Sequence, residues 1–377
     1  MTRKLLLCVT GHGYGHATRC RAVLGELFRV CPALKVTVST TVPGRLFDVG
    51  IPGSVSWREQ DYEPGAVQKN CFEVDAVATR AAYTRYLAER PERVRAEIDF
   101  LEREDFRGVL ADIPAIPLAA AARLGIPAAG LWNFTWDWIL EPILRGSRGD
   151  ALEKLPALLQ ADYATAPLHL RLPFSARDSS LEGVEDVPLV GRKSRMARDT
   201  TLERVGFETG DSRPVVLVAM GGWECRTWNP ITVEGCKDVR FLVVGDVPFH
   251  VSTEARRIPV ELGAGYAFSD LVAASAVVLS KPGYGIASEC VLNRTPLLGV
   301  ERRGFREAPE LVRDMNAFGP FAEISLADFF AGRWEPFLLT LLESDKPWQP
   351  VREDGARVVA QRLAEYFGLG AGVRNSE

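Results

Sequence analysis

The chain has 377 residues, of which 47% are hydrophobic and 25% are charged, and its formal net charge is −4 at pH 7. This composition is typical of a folded protein with a full hydrophobic core, and the length favours two domains. The 45 basic and 49 acidic residues nearly balance. Binding to nucleic acid or to an anionic membrane surface is therefore not expected.

The N-terminal segment and the cysteines indicate the compartment. The first apolar run, residues 5–9, is too short for a signal sequence or an integral membrane segment. The 7 cysteines are scattered, and their spacing does not include a C-x-x-C pair. We therefore expect a cytoplasmic protein with reduced thiols.

Short apolar runs rich in β-branched residues alternate with amphipathic helical patterns along most of the chain, which is typical of parallel βαβ units. The sequence predicts an α/β fold with two parallel sheets. The predicted strands are residues 5–10, 35–40, 108–112, 127–133, 215–220, 240–245 and 276–280, and the predicted helices include 19–30, 76–104, 115–125 and 351–367.

A charged stretch, residues 173–213, separates the two groups of strands and is interpreted as the interdomain connection. The predicted domains are an N-terminal one, 1–190, and a C-terminal one, 205–350. The C-terminal helix and tail, 351–377, are expected to pack back on the N-terminal domain.

The first strand is followed by a glycine-rich loop, TGHGYGHATR at residues 10–19, that leads into a helix. Such a loop places backbone N–H groups and the positive end of a helix dipole together, which favours a negative ligand. The dinucleotide fingerprint is disfavoured, because His16 replaces its third glycine and the second strand ends without an acidic residue. The phosphate-binding pattern G-x-x-x-x-G-K-[ST] does not occur.

The histidine of this loop is a candidate general base. A carboxylate beside an imidazole fixes its tautomer and stabilises its charged form. Asp112 lies at the end of an apolar strand, where open α/β sheets bind their ligands, and is the candidate partner of His16. Two structural alternatives remain: Asp112 caps a helix beginning near Pro114, and His12 and His16 merely hold the loop by hydrogen bonds.

A second glycine-rich loop follows the strand at 276–280, with a helix predicted to start near Ile286. The same reasoning predicts an anion site at this helix N-terminus, which suits a nucleoside diphosphate. Glu289 can accept hydrogen bonds from the hydroxyls of a ribose. The other candidate residues for binding this nucleotide are Gly283, Tyr284, Gly285, Ser280, Lys281 and Ser288, with Gly221 and Gly222 in a further turn. For each glycine alone, an ordinary tight turn is the alternative.

These stretches resemble the GT-B superfamily of nucleotide-sugar-dependent glycosyltransferases. The GHGYGH loop is similar to the first loop of the undecaprenyl-pyrophosphoryl-muramoyl-pentapeptide N-acetylglucosaminyltransferase family and of plant glucosyltransferases. In the plant enzymes a histidine at the position of His16 is supported by an aspartate, which Asp112 matches. The segment SKPGYGIASE resembles their donor site, where Ser288 and Glu289 correspond to diphosphate- and ribose-binding residues. The resemblance implies two Rossmann-like domains with parallel sheets facing across a cleft.

The chain also resembles the glycosyltransferase-like N-terminal region of L-arabinokinases. The shared motifs are the GHG-aromatic-GHATR loop, EPGAVQ at 63–68, NFTWDW at 133–138 and a Glu-x-Pro at Glu307. No galactokinase-like half follows, so kinase activity is not expected. The donor-sugar ending of the plant enzymes is also absent, and Glu307 lies in that region.

The sequence therefore predicts a glycosyltransferase that uses a nucleotide diphosphate sugar, with a UDP-sugar as the expectation borrowed from relatives. His16 and Asp112 are the predicted catalytic pair, and a metal or other cofactor is not expected because the chain contains no D-x-D. Inversion is expected if the base acts directly. The candidate loop residues for the donor are Gly13 and Gly15, and those for the unidentified acceptor are His12, Tyr14, Gln68 and Trp136.

The glycine-rich loops also suggest three other functions. The same fold hosts nucleotide-sugar epimerases and hydrolases, and a non-catalytic nucleotide-sugar-binding module is also compatible with the glycine-rich loops. A dinucleotide-dependent oxidoreductase is disfavoured by the missing ribose-binding acid.

Overall fold

The structure is a computed structural model of the full chain, and it describes residues 3–48, 51–147, 151–176, 181–208, 210–221, 228–259 and 265–370. Strands and helices alternate through most of these ranges. The strands are Lys4–Val9 (β1), Lys35–Ser39 (β2), Ser54–Arg58 (β3), Gln68–Asn70 (β4), Glu73–Val74 (β5), Gly108–Asp112 (β6), Ala128–Trp132 (β7), Leu168–Arg171 (β8), Val184–Asp186 (β9), Val215–Ala219 (β10), Ile231–Thr232 (β11), Arg240–Val244 (β12), Phe249–His250 (β13), Ala255–Ile258 (β14), Val277–Ser280 (β15), Leu297–Val300 (β16) and Phe321–Ile324 (β17).

The helices cover the sheets and connect their strands. They are Tyr14–Val30 (α1), Arg45–Asp48 (α2), Ala76–Arg103 (α3), Ile116–Leu124 (α4), Trp136–Leu144 (α5), Leu155–Tyr163 (α6), Arg198–Arg204 (α7), Phe268–Ala274 (α8), Tyr284–Asn293 (α9), Ala308–Phe318 (α10), Leu326–Phe330 (α11), Glu335–Leu342 (α12) and Gly355–Tyr366 (α13), with a 3₁₀ turn at Ala151–Lys154.

The chain divides into two compact units. Unit 1 comprises Met1–Val67, Asp75–Val190 and Arg352–Glu377, and unit 2 comprises Gln68–Val74 and Gly191–Val351. The short β4–β5 hairpin therefore belongs to unit 2 although it lies within the N-terminal half of the sequence. Its Phe72 is buried in the apolar core of unit 2 and stacks on Trp228, with ring centroids 5.2 Å apart.

Each unit is built on a parallel sheet. In the described residues, unit 1 has seven strands in the order β3-β2-β1-β6-β7-β8-β9, and unit 2 has six in the order β14-β12-β10-β15-β16-β17. The central strands β1, β6, β10 and β15 consist almost wholly of buried residues, as expected for parallel strands covered on both faces. The prediction of an α/β fold with two parallel sheets is confirmed.

The seven predicted strands and the helix predicted at 76–104 are present. The other strands escaped prediction because they are short or half exposed, so they lack a strong apolar run. Three predicted helix starts differ from the structure. α1 begins at Tyr14 rather than at Arg19. α9 begins at Tyr284 rather than near Ile286, and α13 begins at Gly355 rather than at Val351. Glycine and proline neighbours make the first turn hard to place from sequence.

The C-terminal helix α13 belongs to unit 1, where it packs against α1. Its Tyr366 hydroxyl donates a hydrogen bond of 3.1 Å to the carbonyl oxygen of Ala128 in β7. Arg362 forms an exposed ion pair with Glu185 of β9. Residues 177 and 238 positions apart are thereby joined within one unit.

Candidate functional site

Both sheets have a switch point at which the chain leaves two neighbouring strands in opposite directions. In unit 1 these strands are β1 and β6, and in unit 2 they are β10 and β15. The carboxyl ends of such strand pairs leave a crevice, which is where open α/β sheets bind ligands. The predicted site residues follow these four strands.

In unit 1 the predicted pair is formed. Val9 and Asp112 are register partners at the ends of β1 and β6, and α1 begins five residues after Val9. The Nδ1 atom of His16 lies 2.7 Å from Oδ1 of Asp112. Asp112 is fully buried and His16 is 7% exposed. The two side chains that the sequence paired over 96 positions are therefore in direct hydrogen-bond contact.

Arg19 also binds this carboxylate. Its Nε donates to Oδ2 of Asp112 at 2.6 Å and its Nη2 donates to Oδ1 at 2.5 Å, while Nη1 donates to Oδ1 of Asn133 at 2.5 Å. The Sγ atom of Cys20 donates to Oδ2 at 3.1 Å. Asp112 thus accepts hydrogen bonds from three residues of α1.

Burial by itself would raise the pKa of Asp112, but the adjacent Arg19 and His16 outweigh it and hold this pKa below its ordinary value. Asp112 is therefore ionised at neutral pH. The alternative in which Asp112 caps a helix is wrong: α4 starts at Ile116, its N-cap residue is Ala115, and its N-terminus receives no side-chain capping bond.

Around this pair, unit 1 places an aromatic and polar cluster. The His12 ring packs edge-to-face on Trp136 at 5.2 Å between centroids, and Phe134 packs in the same way on His16 at 5.5 Å. The Nε1 atom of Trp136 donates to Oε1 of Glu63 at 3.1 Å. Trp136 is 1% exposed, so its ring acts as packing for the cluster rather than as an open wall.

The Glu63 carboxyl is the second titrating group of the cluster. Burial raises its pKa from 4.5 to about 7, against the opposing hydrogen bonds from Thr10 and Trp136. Gly65, two residues later, has a φ of +66°, and a Cβ atom there would lie 2.5 Å from Nδ1 of His12. Glycine at position 65 is thus required by both its backbone conformation and the nearby histidine ring.

The remaining predicted residues of the first loop are less buried. Gly13 precedes α1 with a φ of +104° and open space where a Cβ would lie, and Tyr14 and Gly15 form the first turn of the helix with intermediate exposure. Gln68 lies in β4, which belongs to unit 2, whereas the other predicted residues of this group belong to unit 1.

In unit 2 the second glycine-rich loop leads directly into α9. Gly283 is the N-cap residue, its backbone is extended, and nothing lies within 4 Å of a Cβ built on it. Gly221, after β10, has a φ of +69° and adjoins Lys281, because its Cβ would lie 3.5 Å from Cε of the lysine. Gly222 lies outside the described residues. The structure therefore brings Gly221 and Lys281 together beside the start of α9.

The hydroxyls of this loop are engaged within the protein. Oγ of Ser280 donates to the carbonyl oxygen of Ala219 at 2.5 Å, and Oγ of Ser288 donates to that of Gly285 at 3.0 Å. Tyr284 is 5% exposed and packs at the helix start. Backbone N–H groups, rather than these hydroxyls, are the donors that the loop offers to a ligand.

Glu289 is held by an arginine that the sequence did not indicate. Oε1 of Glu289 accepts hydrogen bonds from Nε and Nη2 of Arg192, each at 2.6 Å. Oε2 is buried and has no hydrogen-bond partner among the described residues. Burial raises the pKa of Glu289, and Arg192 opposes this shift. One carboxylate oxygen of a 3% exposed side chain therefore lacks a donor.

Glu307 is linked to the same loop through Arg302. Arg302 donates from Nη1 both to Oε1 of Glu307, at 2.9 Å, and to the carbonyl oxygen of Pro282, at 3.0 Å. The guanidinium also lies over the ring of Phe305 at 3.4 Å. Burial lowers the pKa of Arg302, and Glu307 opposes this effect. Glu307 thus acts on the loop through Arg302.

Sequence reasoning missed Arg19, Asn133, Arg192 and Arg302. Arg19 had a usable signal, because residues three apart on a helix share a face and Arg19 follows His16 by three. Asn133 directly follows β7, next to β6 in the sheet. Arg192 lies in an irregular segment, and the sequence carries no periodic signal for its contact with α9.

Comparisons with known proteins were made for sequence and for structure. No protein-family model matches the chain. The L-arabinokinase of Arabidopsis thaliana is 28% identical over 362 residues, which cover 95% of this chain but 34% of that protein. The chain thus spans about one third of the length of this curated relative.

The glycotransferase of kitacinnamycin superposes with a TM-score of 0.60 at 12% identity, over 98% of this chain and 95% of that chain. A UDP-glucosyltransferase from Polygonum tinctorium superposes with a TM-score of 0.58 at 11% identity, over 98% and 94%. The chain has the GT-B fold. This result confirms the predicted fold and its resemblance to glycosyltransferases of that architecture.

The described residues contain no helix that is long and apolar enough to cross a membrane. In the same part of the chain, no group of three or more histidine, cysteine or acidic side chains is arranged to hold a metal ion.

Proposed function

We propose that this chain is a glycosyltransferase that moves a sugar from a UDP-sugar to a hydroxyl or another nucleophile of an acceptor, without a metal and with inversion. The observation that carries the proposal is the contact of 2.7 Å between His16 and Asp112 at the switch point of the unit 1 sheet. A loop histidine oriented by a buried carboxylate is suited to accept a proton from an acceptor.

Unit 1 supplies the base. As the acceptor oxygen forms its bond to the anomeric carbon, its proton passes to Nε2 of His16, and the bond from that carbon to the diphosphate oxygen breaks. Asp112 holds the ring through Nδ1. General-base catalysis of this kind contributes about 10²- to 10⁴-fold to the rate. Direct attack on the anomeric carbon gives inversion.

Unit 2 binds the donor. The N-terminus of α9 carries no acidic residue in its first turn, so its backbone N–H groups and dipole favour the diphosphate. The buried Oε2 of Glu289 lacks a donor among the described residues, and a ribose hydroxyl would provide one. As the nucleoside diphosphate leaves, the same helix end stabilises its added negative charge.

Three observations support this choice of donor and chemistry. The Polygonum protein of the same fold is by name a UDP-glucosyltransferase, and another neighbour of that fold is a complex with UDP. The chain has no D-x-D pair of the kind that bridges a metal to the diphosphate. A helix N-terminus can perform that role by itself.

The first experiment is a thermal-shift screen of nucleoside diphosphates and their sugars against the full chain. A true donor raises the melting temperature in proportion to its occupancy, and UDP and UDP-sugars are expected to do so. Stabilisation by NADH and not by any nucleoside diphosphate would contradict the proposal and favour an oxidoreductase.

The second experiment measures UDP release with an acceptor library. His16→Ala is expected to bind UDP as the parent does but to lose about 10²- to 10⁴-fold in transfer. His250→Ala, a change at an exposed histidine, is the matched control and is expected to keep the full rate. An unchanged rate in His16→Ala would refute the base assignment. Release of UDP without any acceptor would instead indicate hydrolysis, and conversion of the UDP-sugar into an epimer without release of UDP would indicate epimerisation.

A further inference from the structure

Arg19 places a permanent positive charge beside the histidine and carboxylate of unit 1. Its guanidinium donates to both oxygens of Asp112, and its Nη2 lies 2.9 Å from Nδ1 of His16. Arg19 and Asp112 are each at most 1% exposed. The three groups therefore meet in a desolvated cluster, where charge interactions are strong.

The contacts of Nδ1 determine the tautomer of His16. The guanidinium can only donate and the ionised carboxylate can only accept, so Nδ1 cannot satisfy both with one protonation state. A bare Nδ1 would bring two acceptors together, 2.7 Å apart, at Oδ1 of Asp112. A protonated Nδ1 lets Oδ1 accept from both neighbours. Nδ1 of His16 and Nη2 of Arg19 then lie close together because both donate to Oδ1 of Asp112.

The charges determine whether the ring takes a second proton. In a plain histidine–aspartate pair, the carboxylate compensates the imidazolium. Here Arg19 already neutralises Asp112, so protonation of His16 would leave one net positive charge in the cluster. Cys20, which donates to Asp112, adds no charge because burial raises its pKa well above the ordinary value. Asn133, which accepts a hydrogen bond from Arg19, and Phe134, which packs on His16, are uncharged.

We propose that Arg19 is a positioning residue that keeps His16 uncharged with its proton on Nδ1, so that Nε2 is the proton acceptor of the ring. Arg19 does this through Asp112 and needs no contact with substrate. Only the catalytic consequence of this inference rests on the proposed function. The protonation state of the His16 ring can be measured without any substrate.

The test is a two-bond ¹H–¹⁵N correlation spectrum of the full chain labelled in its histidine rings. The chain has 4 histidines, and His16→Gln assigns the signals of His16 by their loss. Between about pH 6 and 8, where free histidine titrates, the parent protein is expected to show a protonated Nδ1 and a bare Nε2. A doubly protonated ring near neutral pH, or a bare Nδ1, overturns the proposal without any variant.

Two variants separate charge from packing. Arg19→Gln is expected to raise the proton affinity of His16 about tenfold or more, because the carboxylate is no longer neutralised. Arg19→Lys restores the charge and is expected to return the ring to its uncharged form, whether or not Arg19→Gln folds. The proposal is overturned if the His16 ring titrates alike in the parent and in Arg19→Gln. It is also overturned if the ring is an imidazolium at neutral pH in Arg19→Lys.

The matched control is Arg90→Gln. Arg90 forms another largely buried ion pair of unit 1, in which its Nη2 donates to Oδ1 of Asp162 at 2.6 Å. Loss of this arginine is expected to leave the His16 signals unchanged. If the spectra behave as expected but no sugar transfer is found with any donor, the proposed function fails and the role of Arg19 on the ring stands.

Discussion

Glu63 makes the stability of unit 1 depend on pH. Its pKa is raised from 4.5 to about 7, mainly by burial, so the folded state holds the proton over a range in which the unfolded chain has lost it. A folded state that binds more protons loses stability as pH rises. The contribution of Glu63 is therefore favourable below about pH 4.5 and is lost as the pH rises to about 7.

The difference between a pKa of 4.5 and one of about 7 corresponds to about 3 kcal/mol. The side chain has intermediate exposure, so water screens part of this penalty, and we expect an observed effect of about 1–3 kcal/mol. Glu63→Gln keeps the size of the side chain and the acceptor for Nε1 of Trp136, but it carries no charge. Relative to the parent, this variant should gain about 1–3 kcal/mol between pH 4.5 and 8.

The assay is denaturant unfolding of both proteins from about pH 5 to pH 8.5, compared as a difference so that other titrating groups cancel. Glu92→Gln, at an exposed position of the same unit, is the control and should differ from the parent by a constant amount. If the difference between Glu63→Gln and the parent is independent of pH, or grows toward acid, the assignment of a destabilised carboxylate at position 63 is refuted.

Two further predictions test the geometry of unit 1. Gly65→Ala and Gly125→Ala both place alanine at a φ of +66°, but only the former brings Cβ within 4 Å of another group, His12. Both should lose about 1–2 kcal/mol, and Gly65→Ala about 1–3 kcal/mol more, in denaturant unfolding; equal losses would contradict the contact. Asp112→Asn should cost about 3–5 kcal/mol at pH 7, since Arg19 is left buried without its partner. This loss should shrink as the pH falls below about 4, where a carboxylate with a lowered pKa ceases to favour the folded state.

The sequence was sufficient to predict the parallel sheets and the pair His16–Asp112. Buried parallel strands read as continuous apolar runs, and their carboxyl ends meet at one edge, so residues 96 positions apart could be placed together. The environment of Glu63 could not be predicted, because it depends on Trp136, which lies on α5 and reaches the carboxyl through tertiary packing. Local patterns contain no information about such contacts.

The predicted carboxylates share a feature that the sequence indicates only in part. Asp112 and Glu289 are predicted from their positions after a strand and in a helix start, and Glu307 from a motif of the resembling family. Each is bound by an arginine for which the sequence predicts no role. A buried carboxylate is costly unless it is paired, so a predicted buried acid also predicts a nearby cation.

Which cation that is depends on the tertiary fold, and its geometry determines what the acid can still do. Arg19 occupies both oxygens of Asp112, which leaves that carboxylate to orient a neighbour rather than to bind substrate. Arg192 occupies one oxygen of Glu289, and the other lacks a partner among the described residues. The proposed roles, an orienting acid in unit 1 and a ligand-binding acid in unit 2, therefore agree with the number of oxygens that each arginine leaves open.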